Sequence, residues 1–211
     1  MYSSLICINT HIPKEFVDLI ERETEIFNSC LQDSTTGLGE GVIDEKKRRS
    51  KNSWISSTSW VCGFLSHYVQ KANITNFSYD IDPYIETIQY TVYNEGDYYG
   101  WHSDDSPSDL SSFEPTISDS TKELEEQSFH NHLKRETERV RKLSYSLLLS
   151  DSDEYEGGNF QFMTTSNELK VAPRTRGTLI LFDARVPHRV LKVRNGTRKS
   201  LVGWVRGPRW K

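Results

Sequence analysis

The chain has 211 residues and a formal net charge of −4, with 27% charged and 35% hydrophobic residues. This length suits one compact domain with a sizeable core, and no apolar run approaches the roughly 18 residues that a membrane-spanning helix needs. The first residues lack the basic start and long apolar stretch of a secretion signal. Cys7, Cys30 and Cys62 are scattered and form no Cys-x-x-Cys pair, which indicates reduced core thiols. We therefore expect a cytoplasmic protein without a membrane span, and its oligomeric state stays open.

The net charge conceals two segments of opposite sign. Residues 105–126 contain seven acidic residues against one lysine, whereas residues 170–211 contain twelve lysines and arginines against one aspartate. The two segments could be solvated faces that neutralise each other in the fold. Alternatively, the basic segment could form a rim that attracts anions such as a dicarboxylate.

Two amphipathic helices are predicted in the first third of the chain. A strand over 5–8 precedes a helix that Pro13 opens, and a second helix is predicted over 59–72. Between them we expect a Gly-rich loop over 35–42 and a strand around Trp54. The apolar face of the first helix comprises Phe16, Val17, Ile20, Thr24 and Phe27. The buried side of the second comprises Trp60, Phe64, Leu65 and Tyr68.

From residue 77 onward, short β-rich segments alternate with turns containing Gly, Asn, Asp and Pro. The predicted strands are 85–93, 98–104, 143–150, 159–162, 178–182, 188–193 and 198–205. Many short strands after two helices indicate a mainly β, α+β fold, in which a barrel or sandwich carries the helices on its outside. Residues 105–140 differ, because a Ser/Pro/Asp-rich stretch leads into a charged helical candidate over 121–139. We interpret them as an insertion that is either a mobile lid or a passive surface loop.

His102 and Asp104 form a candidate metal-binding pair at the end of a predicted strand. In an extended chain, residues i and i+2 point to the same face, so the imidazole and the carboxylate converge. A third ligand would complete a two-His, one-carboxylate facial triad, which leaves metal positions open for other ligands. In isolation, however, a His-x-Asp pair is more often an ordinary surface pair.

A later segment offers a third ligand and a receptor for a carboxylate. His188 follows a predicted buried strand and the turn at Pro187, and Arg198 stands ten residues further on, with Ser200 on the same strand face. A guanidinium makes two parallel charge-assisted hydrogen bonds with a carboxylate. Each residue alone has a simpler interpretation: His188 could be a buried strand histidine, and Arg198 one more cation of a basic segment.

Three blocks resemble, in this order, the prolyl 4-hydroxylase-like branch of the Fe(II)- and 2-oxoglutarate-dependent oxygenase superfamily. The first, from Tyr93 to Asp104, is similar to the signature Tyr-x-x-Gly-x-x-Tyr-x-x-His-x-Asp. The second comprises RKLSYSLLL from 141 and YEGGNF from 155, which resemble two middle strands and their Gly-Gly turn. The third comprises GTLILF from 177, PHRV from 187 and GTRKSL from 196, which are similar to the closing strands. Residues 1–84 match only as a helical support.

The resemblance implies a single oxygenase domain over 1–211. Its core would be a double-stranded β-helix (jelly-roll) over 77–211, with supporting helices in 1–76 and the insertion over 105–140. The implied reaction uses Fe(II), 2-oxoglutarate and O2, with ascorbate as an optional addition. It hydroxylates an unactivated C–H bond and releases succinate and CO2. The expected substrate is a prolyl or other amino-acid residue in a peptide or protein, and a small molecule stays an alternative.

The resemblance also implies roles for individual residues. His102, Asp104 and His188 would bind the metal, and Arg198 would bind the distal carboxylate of 2-oxoglutarate. These four are the predicted catalytic set. The hydroxyl groups that would assist Arg198 belong to Tyr93, Ser200 and Ser144.

The sequence departs from the family pattern at two positions. The tyrosine expected seven residues after Arg141 is Leu148, so Ser144 or Tyr93 must supply the missing hydroxyl. The cation ten residues after His188 is Arg198 rather than the lysine of collagen-type enzymes. Both departures bear on the substrate more than on the cofactors.

Two other functions are compatible with the same residues. The first is an AlkB-like nucleic-acid demethylase, which the segment from Trp101 to Asp105 also resembles. Enzymes of that branch carry a second arginine six residues after the cosubstrate arginine, where this chain has Trp204, so nucleic acid is a less favoured partner. The second is a non-catalytic jelly-roll binding module, which usually lacks one of the metal ligands.

The segment before Arg198 provides a structural test. Asn195-Gly196 suggests a two-residue hairpin turn, but strict alternation would then turn Arg198 away from the face of His188. We therefore predict a three-residue or bulged hairpin connection, with Gly196 at positive φ.

Overall fold

A computed structural model describes residues 5–9, 12–35, 44–83, 85, 87–105, 139–164 and 166–210. Most of the predicted loop over 35–42 and of the insertion over 105–140, with its candidate helix, lies outside these residues. Arg139 and Val140 already belong to a strand, so the insertion ends earlier than predicted. The assignment of the whole chain to one domain stays a prediction.

The two predicted helices are present. Helix α1, Lys14–Glu25, begins directly after Pro13 and continues into a 3-10 turn, Ile26–Cys30. Helix α2, Trp60–Ala72, continues into a π-helical turn, Asn73–Phe77. Ser59 caps α2, because its hydroxyl accepts a hydrogen bond of 3.3 Å from the Val61 amide.

The predicted buried faces of the helices are partly wrong. Phe16 and Trp60 are 43% and 45% exposed. Helix α2 instead turns Val61, Leu65 and Val69 toward the core. Its aromatic residues lie four apart on the neighbouring ridge, where Phe64 stacks on Phe16 at 5.4 Å between ring centroids. The aromatic residues therefore join the two helices on the outside of the core.

Fourteen strands are found among the described residues. They are β1 Ile6–Asn9, β2 Gln32–Asp33, β3 Arg48–Arg49, β4 Lys51–Ile55, β5 Ile88–Tyr93, β6 Tyr98–His102, β7 Arg139–Leu148, β8 Tyr155–Gly157, β9 Phe160–Met163, β10 Leu169–Val171, β11 Leu179–Asp183, β12 His188–Val190, β13 Val193–Gly196 and β14 Arg198–Pro208. Every strand predicted from the sequence has a counterpart, with bounds shifted by a few residues.

The strands form a large and a small antiparallel sheet. The large sheet has the order β1-β11-β7-β14-β5-β4-β2, and the small sheet has the order β10-β9-β12-β6-β3. One apolar cluster joins the large sheet to the helices, and a second fills the space beside the small sheet. This arrangement confirms the mainly β, α+β class with a jelly-roll core, although the described strands leave the sheets open rather than closed into a barrel.

The predicted hairpin before Arg198 is wrong. Strand β13 pairs with β8 in a separate two-stranded sheet, whereas β14 pairs with β5 and β7 of the large sheet. The chain therefore crosses between sheets at Thr197, and alternation cannot be counted from His188 to Arg198. Gly196 does have a positive φ of 76°, as predicted. A side chain at this position would also collide with the Glu154 carbonyl, so the site requires glycine for two reasons.

All three cysteines are free thiols, but their burial differs from the prediction. Cys62 is buried, Cys7 is partly buried and Cys30 is exposed, so only Cys62 is a fully buried core residue. Within the described ranges, no helix combines the length and the apolar character needed to cross a membrane.

Candidate metal centre and adjoining cavity

His102, Asp104 and His188 converge where two interior strands of the small sheet meet, at the end of β6 and the start of β12. His102 ends β6 and His188 begins β12, and the two residues face each other directly in the antiparallel ladder. Asp104 lies two residues beyond β6. One ligand atom from each side chain lies within 4.8 Å of the other two. The sequence spacing and the strand register thus bring the three predicted ligands to one point.

Hydrogen bonds to the main chain orient both imidazoles. The Nδ1 atom of His102 lies 2.9 Å from the Gly100 carbonyl oxygen, and that of His188 lies 2.9 Å from the Val186 carbonyl oxygen. A carbonyl can only accept, so each Nδ1 carries a proton, and Nε2 is the nitrogen left to bind a metal through its lone pair when the ring is neutral. The Nε2 atoms lie 3.9 and 3.6 Å from the Asp104 carboxylate. A main-chain carbonyl that accepts a hydrogen bond from Nδ1 is typical of a histidine that binds a metal through Nε2.

Asp104 is held by its neighbours as firmly as the imidazoles. The Ser144 hydroxyl donates to its Oδ2 atom at 2.6 Å, and its own amide donates to the Ala184 carbonyl at 2.8 Å. Burial alone would raise the pKa of Asp104, but the two imidazoles and the Arg141 guanidinium bring this pKa below its usual value. The carboxylate therefore stays ionised in the buried site.

His102 is neutral across the physiological range. Burial, and to a smaller extent the proximity of a second imidazole, lowers the pKa of His102 to about 3. The ring of Tyr99 stacks on the His102 ring at 3.5 Å between centroids. A metal ligand must be deprotonated, so a neutral imidazole beside an ionised carboxylate is the protonation state that metal binding requires.

A cavity of about 250 Å³ opens beside the three side chains. Arg198, Ser200 and Tyr93 line it from the large sheet. Arg198 is 4% exposed and lies opposite Tyr93 in the ladder of β14 and β5. Its Nη1 atom donates to the Ser200 hydroxyl at 3.2 Å. The structure thus brings three of the four predicted cosubstrate residues together.

The fourth residue, Ser144, is placed differently. Its hydroxyl proton is engaged with Asp104 rather than directed at Arg198. Leu148 lies opposite Ser200 in the ladder of β7 and β14, so an apolar side chain occupies the position of the expected tyrosine. The hydroxyl groups that line the cavity beside Arg198 are those of Tyr93 and Ser200.

Several cavity residues were missed by the sequence analysis. Trp204 packs under Arg141, with 4.0 Å between the guanidinium carbon and the ring centroid. The ring centroids of Trp54 and Trp204 lie 6.3 Å apart at the same wall of the cavity. Alternation along β14 predicts Trp204, because it shares a face with Arg198 and Ser200. Arg48 belongs to the two-residue strand β3, which is too short for alternation to predict its orientation.

The family model described as the 2OG-Fe(II) oxygenase superfamily matches residues 88–206. The chain belongs to the 2OG-Fe(II) oxygenase superfamily. The matched region contains the three converging side chains and Arg198. The cofactors expected from the sequence, Fe(II) and 2-oxoglutarate, are those of this family.

Curated relatives of the oxygenase are PKHD-type hydroxylases. One from Parvibaculum lavamentivorans is 36% identical over 64 residues, which is 30% of this chain and 29% of the relative. One from Prochlorococcus marinus is 24% identical over 189 residues, which is 88% of this chain and 69% of the relative. The chain therefore matches less than a third of the Parvibaculum protein and about two thirds of the Prochlorococcus protein.

Solved structures with the same fold include prolyl hydroxylases. A prolyl-4-hydroxylase from Pseudomonas putida has a TM-score of 0.66 and 16% identity, covering 97% of this chain and 94% of the other. A Trichoplax adhaerens prolyl hydroxylase, in complex with a hypoxia inducible factor peptide fragment, has a TM-score of 0.68 and 15% identity, covering 95% and 83%. The predicted resemblance to the prolyl 4-hydroxylase-like branch is confirmed.

The residues of the oxygenase fit both cofactors chemically. Two imidazole nitrogens and one carboxylate are the donor set that non-haem Fe(II) takes in oxygenases, and here they come from His102, His188 and Asp104. Arg198 is a buried cation whose described hydrogen bond goes to a neutral hydroxyl. Among the described residues no carboxylate pairs with this guanidinium, and a bound carboxylate would supply the counter-charge.

Proposed function

We propose that the protein is an Fe(II)- and 2-oxoglutarate-dependent dioxygenase that hydroxylates an unactivated C–H bond. In the overall reaction, 2-oxoglutarate, O2 and the substrate R–H yield succinate, CO2 and R–OH. The observation that carries the proposal is the position of Arg198, a buried cation facing the same cavity as three convergent metal-ligand side chains. A metal site alone would be compatible with many functions, whereas a carboxylate receptor beside it favours this one.

The chain's own residues would act by binding and orienting. His102, Asp104 and His188 would hold Fe(II), which with 2-oxoglutarate supplies the oxidising chemistry. Ser144 would keep the Asp104 carboxylate aimed at the metal, and the main-chain acceptors would keep both imidazole protons on Nδ1. Arg198 would bind the distal carboxylate of 2-oxoglutarate, assisted by the hydroxyl of Ser200.

The proposed substrate is a prolyl or other amino-acid residue in a peptide or protein. The relatives named as hydroxylases and the peptide complex of the Trichoplax protein support this class. The wall formed by Trp54, Trp204 and Arg141 supports it too, since indole rings and a guanidinium offer apolar contact and hydrogen bonds to a peptide.

The test is succinate production by the purified protein. We expect succinate from 2-oxoglutarate only when Fe(II) is present, and its loss on addition of a chelator. A library of proline-containing peptides and free amino acids, screened by mass spectrometry, should yield a product heavier by one oxygen atom. Binding of Fe(II) and 2-oxoglutarate without succinate would instead indicate a binding module, and demethylation of a methylated oligonucleotide an AlkB-like enzyme.

A further inference from the structure

Arg48 is a buried cation in the cavity that the proposed reaction does not use. It belongs to β3 at the edge of the small sheet, lines the cavity and is 7% exposed. Its side chain reaches the large sheet, where Nη2 donates to the Gln89 Oε1 atom at 2.9 Å. Its Nε atom donates to the Ser50 hydroxyl, also at 2.9 Å. Both partners are neutral.

No carboxylate pairs with Arg48 in the part of the chain that the structure describes. The next residue, Arg49, shows the ordinary alternative: its side chain is 60% exposed and lies 3.2 Å from the Asp97 carboxylate. A guanidinium withdrawn from water without a counter-charge is unfavourable. Two hydrogen bonds to neutral groups satisfy two of its five N–H donors, and the other three have no hydrogen-bond acceptor among the ranges that the structure covers.

The balance of charges in the cavity also favours an anion. The described residues that line it include four cations, Lys47, Arg48, Arg141 and Arg198, against two carboxylates, Asp33 and Asp104. Fe(II) and the 2-oxoglutarate dianion carry opposite charges of equal size. When both are bound, the excess of two positive charges among these residues is unchanged. Arg198 would then be neutralised by 2-oxoglutarate, whereas Arg48 would not.

We propose that Arg48 is the carboxylate-binding residue for the primary substrate of this oxygenase. This inference rests on the proposed function, because it presumes that Arg198 serves 2-oxoglutarate. The Arg48 guanidinium lies 4.7 Å from the ring centroid of Tyr99, and that ring stacks on His102. The Tyr99 ring therefore links Arg48, and a carboxylate bound to it, to the proposed metal ligand His102.

The size of the cavity restricts the substrate further. At about 250 Å³, it is smaller than the roughly 300–1,000 Å³ typical of sites for drug-sized ligands. Once 2-oxoglutarate is bound, it has room for a compact group only. Two sources of the carboxylate fit this description, the α-carboxylate of a free amino acid and the side chain of an acidic residue beside the hydroxylated one.

Pairs of probes that differ only in one carboxylate distinguish these sources. We would load the protein with Mn(II) and 2-oxoglutarate without oxygen and titrate each probe by calorimetry. L-proline against L-prolinamide tests the α-carboxylate, and N-acetyl-Asp-Pro-amide against N-acetyl-Asn-Pro-amide tests the acidic side chain. In one of the two pairs, we expect the carboxylate probe to bind the wild-type protein at least about tenfold tighter than its uncharged twin.

The variants assign that preference to Arg48. Arg48→Gln should reduce the preference to about one, and Arg48→Lys, which keeps the charge but loses the planar fork, should retain only part of it. Arg49→Gln, a neighbour outside the cavity, should retain all of it. The Lys variant serves as the test if the Gln variant does not fold.

The assignment is overturned if neither carboxylate probe binds the wild-type protein more tightly than its twin, or if both Arg48 variants keep the full preference. It is also overturned if Arg48→Gln weakens binding of 2-oxoglutarate instead, since Arg48 would then serve the cosubstrate. Failure of the wild-type protein to bind Mn(II) with 2-oxoglutarate, or to make succinate with Fe(II), would refute the proposed function separately.

Discussion

The arginines Arg176 and Arg198 lie on opposite sides of the large sheet, and their charges are balanced in different ways; the side chain of Arg176 is 10% exposed, and Arg198 is buried. Arg176, on the side of helix α1, is paired by the chain itself: its two Nη atoms lie 2.6 and 2.7 Å from the Asp18 and Glu21 carboxylates. Its Nε atom donates to the Leu149 carbonyl. Arg198, on the cavity side, is at least as buried, but its described hydrogen bond goes to the Ser200 hydroxyl.

The difference separates a structural cation from a ligand-binding one. Arg176 joins helix α1 to the segment that leads into the large sheet. Its counter-charges, Asp18 and Glu21, belong to the same chain. For Arg198, and by our inference Arg48, the described residues provide no paired carboxylate, so we propose that a bound ligand supplies the counter-charge. Burial alone cannot distinguish the two classes, because both are withdrawn from water. The presence of a carboxylate partner within the chain does distinguish a structural arginine from a ligand-binding one.

The largest expected effect is at the proposed metal ligands. His102→Ala or Asp104→Ala removes one of three ligands from a site that offers no substitute among the described residues. We expect oxidative decarboxylation of 2-oxoglutarate to fall to background, while the thermal midpoint shows that the fold survives. His67→Ala, at an exposed histidine of α2, is the control and should keep full activity. Wild-type turnover in either ligand variant would refute the assignment.

The next effect tests the two arginines against each other. Arg198→Ala should raise the KM for 2-oxoglutarate roughly thirty- to hundredfold, since a lost bidentate charge-assisted contact costs about 2–3 kcal/mol. The free energy of unfolding without ligands should change little, because Arg198 is a buried charge with which no described carboxylate pairs. The measurements are initial rates over a range of 2-oxoglutarate concentrations and urea unfolding.

Arg176→Ala should show the opposite pattern. Its loss leaves Asp18 without Arg176 and leaves Glu21 paired with Lys199 alone, whose Nζ atom lies 3.1 Å from Glu21 Oε1. Because both carboxylates are partly exposed, we expect unfolding to become easier by about 2 kcal/mol. The KM for 2-oxoglutarate should stay at the wild-type value. If Arg198→Ala destabilised the protein and left KM unchanged, the contrast between the two arginines would be wrong.

The convergence of His102 with Asp104 can be predicted from the sequence because it depends on local geometry. His102 and Asp104 are two residues apart on an extended chain, so their convergence follows from strand geometry. The same alternation places Ser200 beside Arg198. The position of His188 opposite His102 depends on the pairing of β6 with β12, which is a contact between distant segments of the chain.

What the sequence could not predict depends on long-range pairing. The segment 193–196 contains a hairpin signal, but it pairs with β8, about forty residues earlier, and this pairing overrides the local turn preference. Arg48 belongs to a strand of only two residues, which has no periodicity to detect. The sequence predicts that the Ser144 hydroxyl assists the cosubstrate, whereas in the structure it donates to Asp104. This contact between Asp104 and β7 joins distant segments, so residue spacing does not reveal it.

A smaller effect on metal binding is expected at Ser144, which supplies Asp104 with a hydrogen bond from within the chain. Ser144→Ala removes the hydroxyl that donates to Asp104 at 2.6 Å. Loss of such an outer partner typically lowers metal affinity by about 10–100-fold, and we expect the lower end, since Asp104 keeps its place through its main-chain hydrogen bond. Titration with Mn(II) measures it. Ser146→Ala, two residues along the same strand, should leave the affinity unchanged, and an equal loss in both variants would contradict a specific role for Ser144.

The smallest effect concerns Asp183, the acidic counterpart of Arg176. Its carboxylate receives hydrogen bonds from Arg185 at 2.6 and 2.9 Å and from the Tyr79 hydroxyl at 2.6 Å. Burial alone would raise the pKa of Asp183, but these donors outweigh burial and bring the pKa below its ordinary value of 3.8. Burial and the same carboxylate raise the pKa of Tyr79 to about 12, so the phenol stays a donor.

A depressed carboxyl pKa contributes stability above the ordinary pKa and loses it as the pH falls through the native value. Tyr79→Phe should therefore lower the free energy of unfolding at pH 7 by about 1–2 kcal/mol, and the difference from wild type should shrink as the pH falls below 3.8. Urea unfolding between pH 7 and pH 3 measures both. Tyr98→Phe is the matched control, because Tyr98 also donates at 2.6 Å, but to the Glu45 main-chain carbonyl. Its effect should not depend on pH, since that acceptor does not titrate. A Tyr79→Phe effect of the same size at every pH would mean that Asp183 is not stabilised as an ion by its partners.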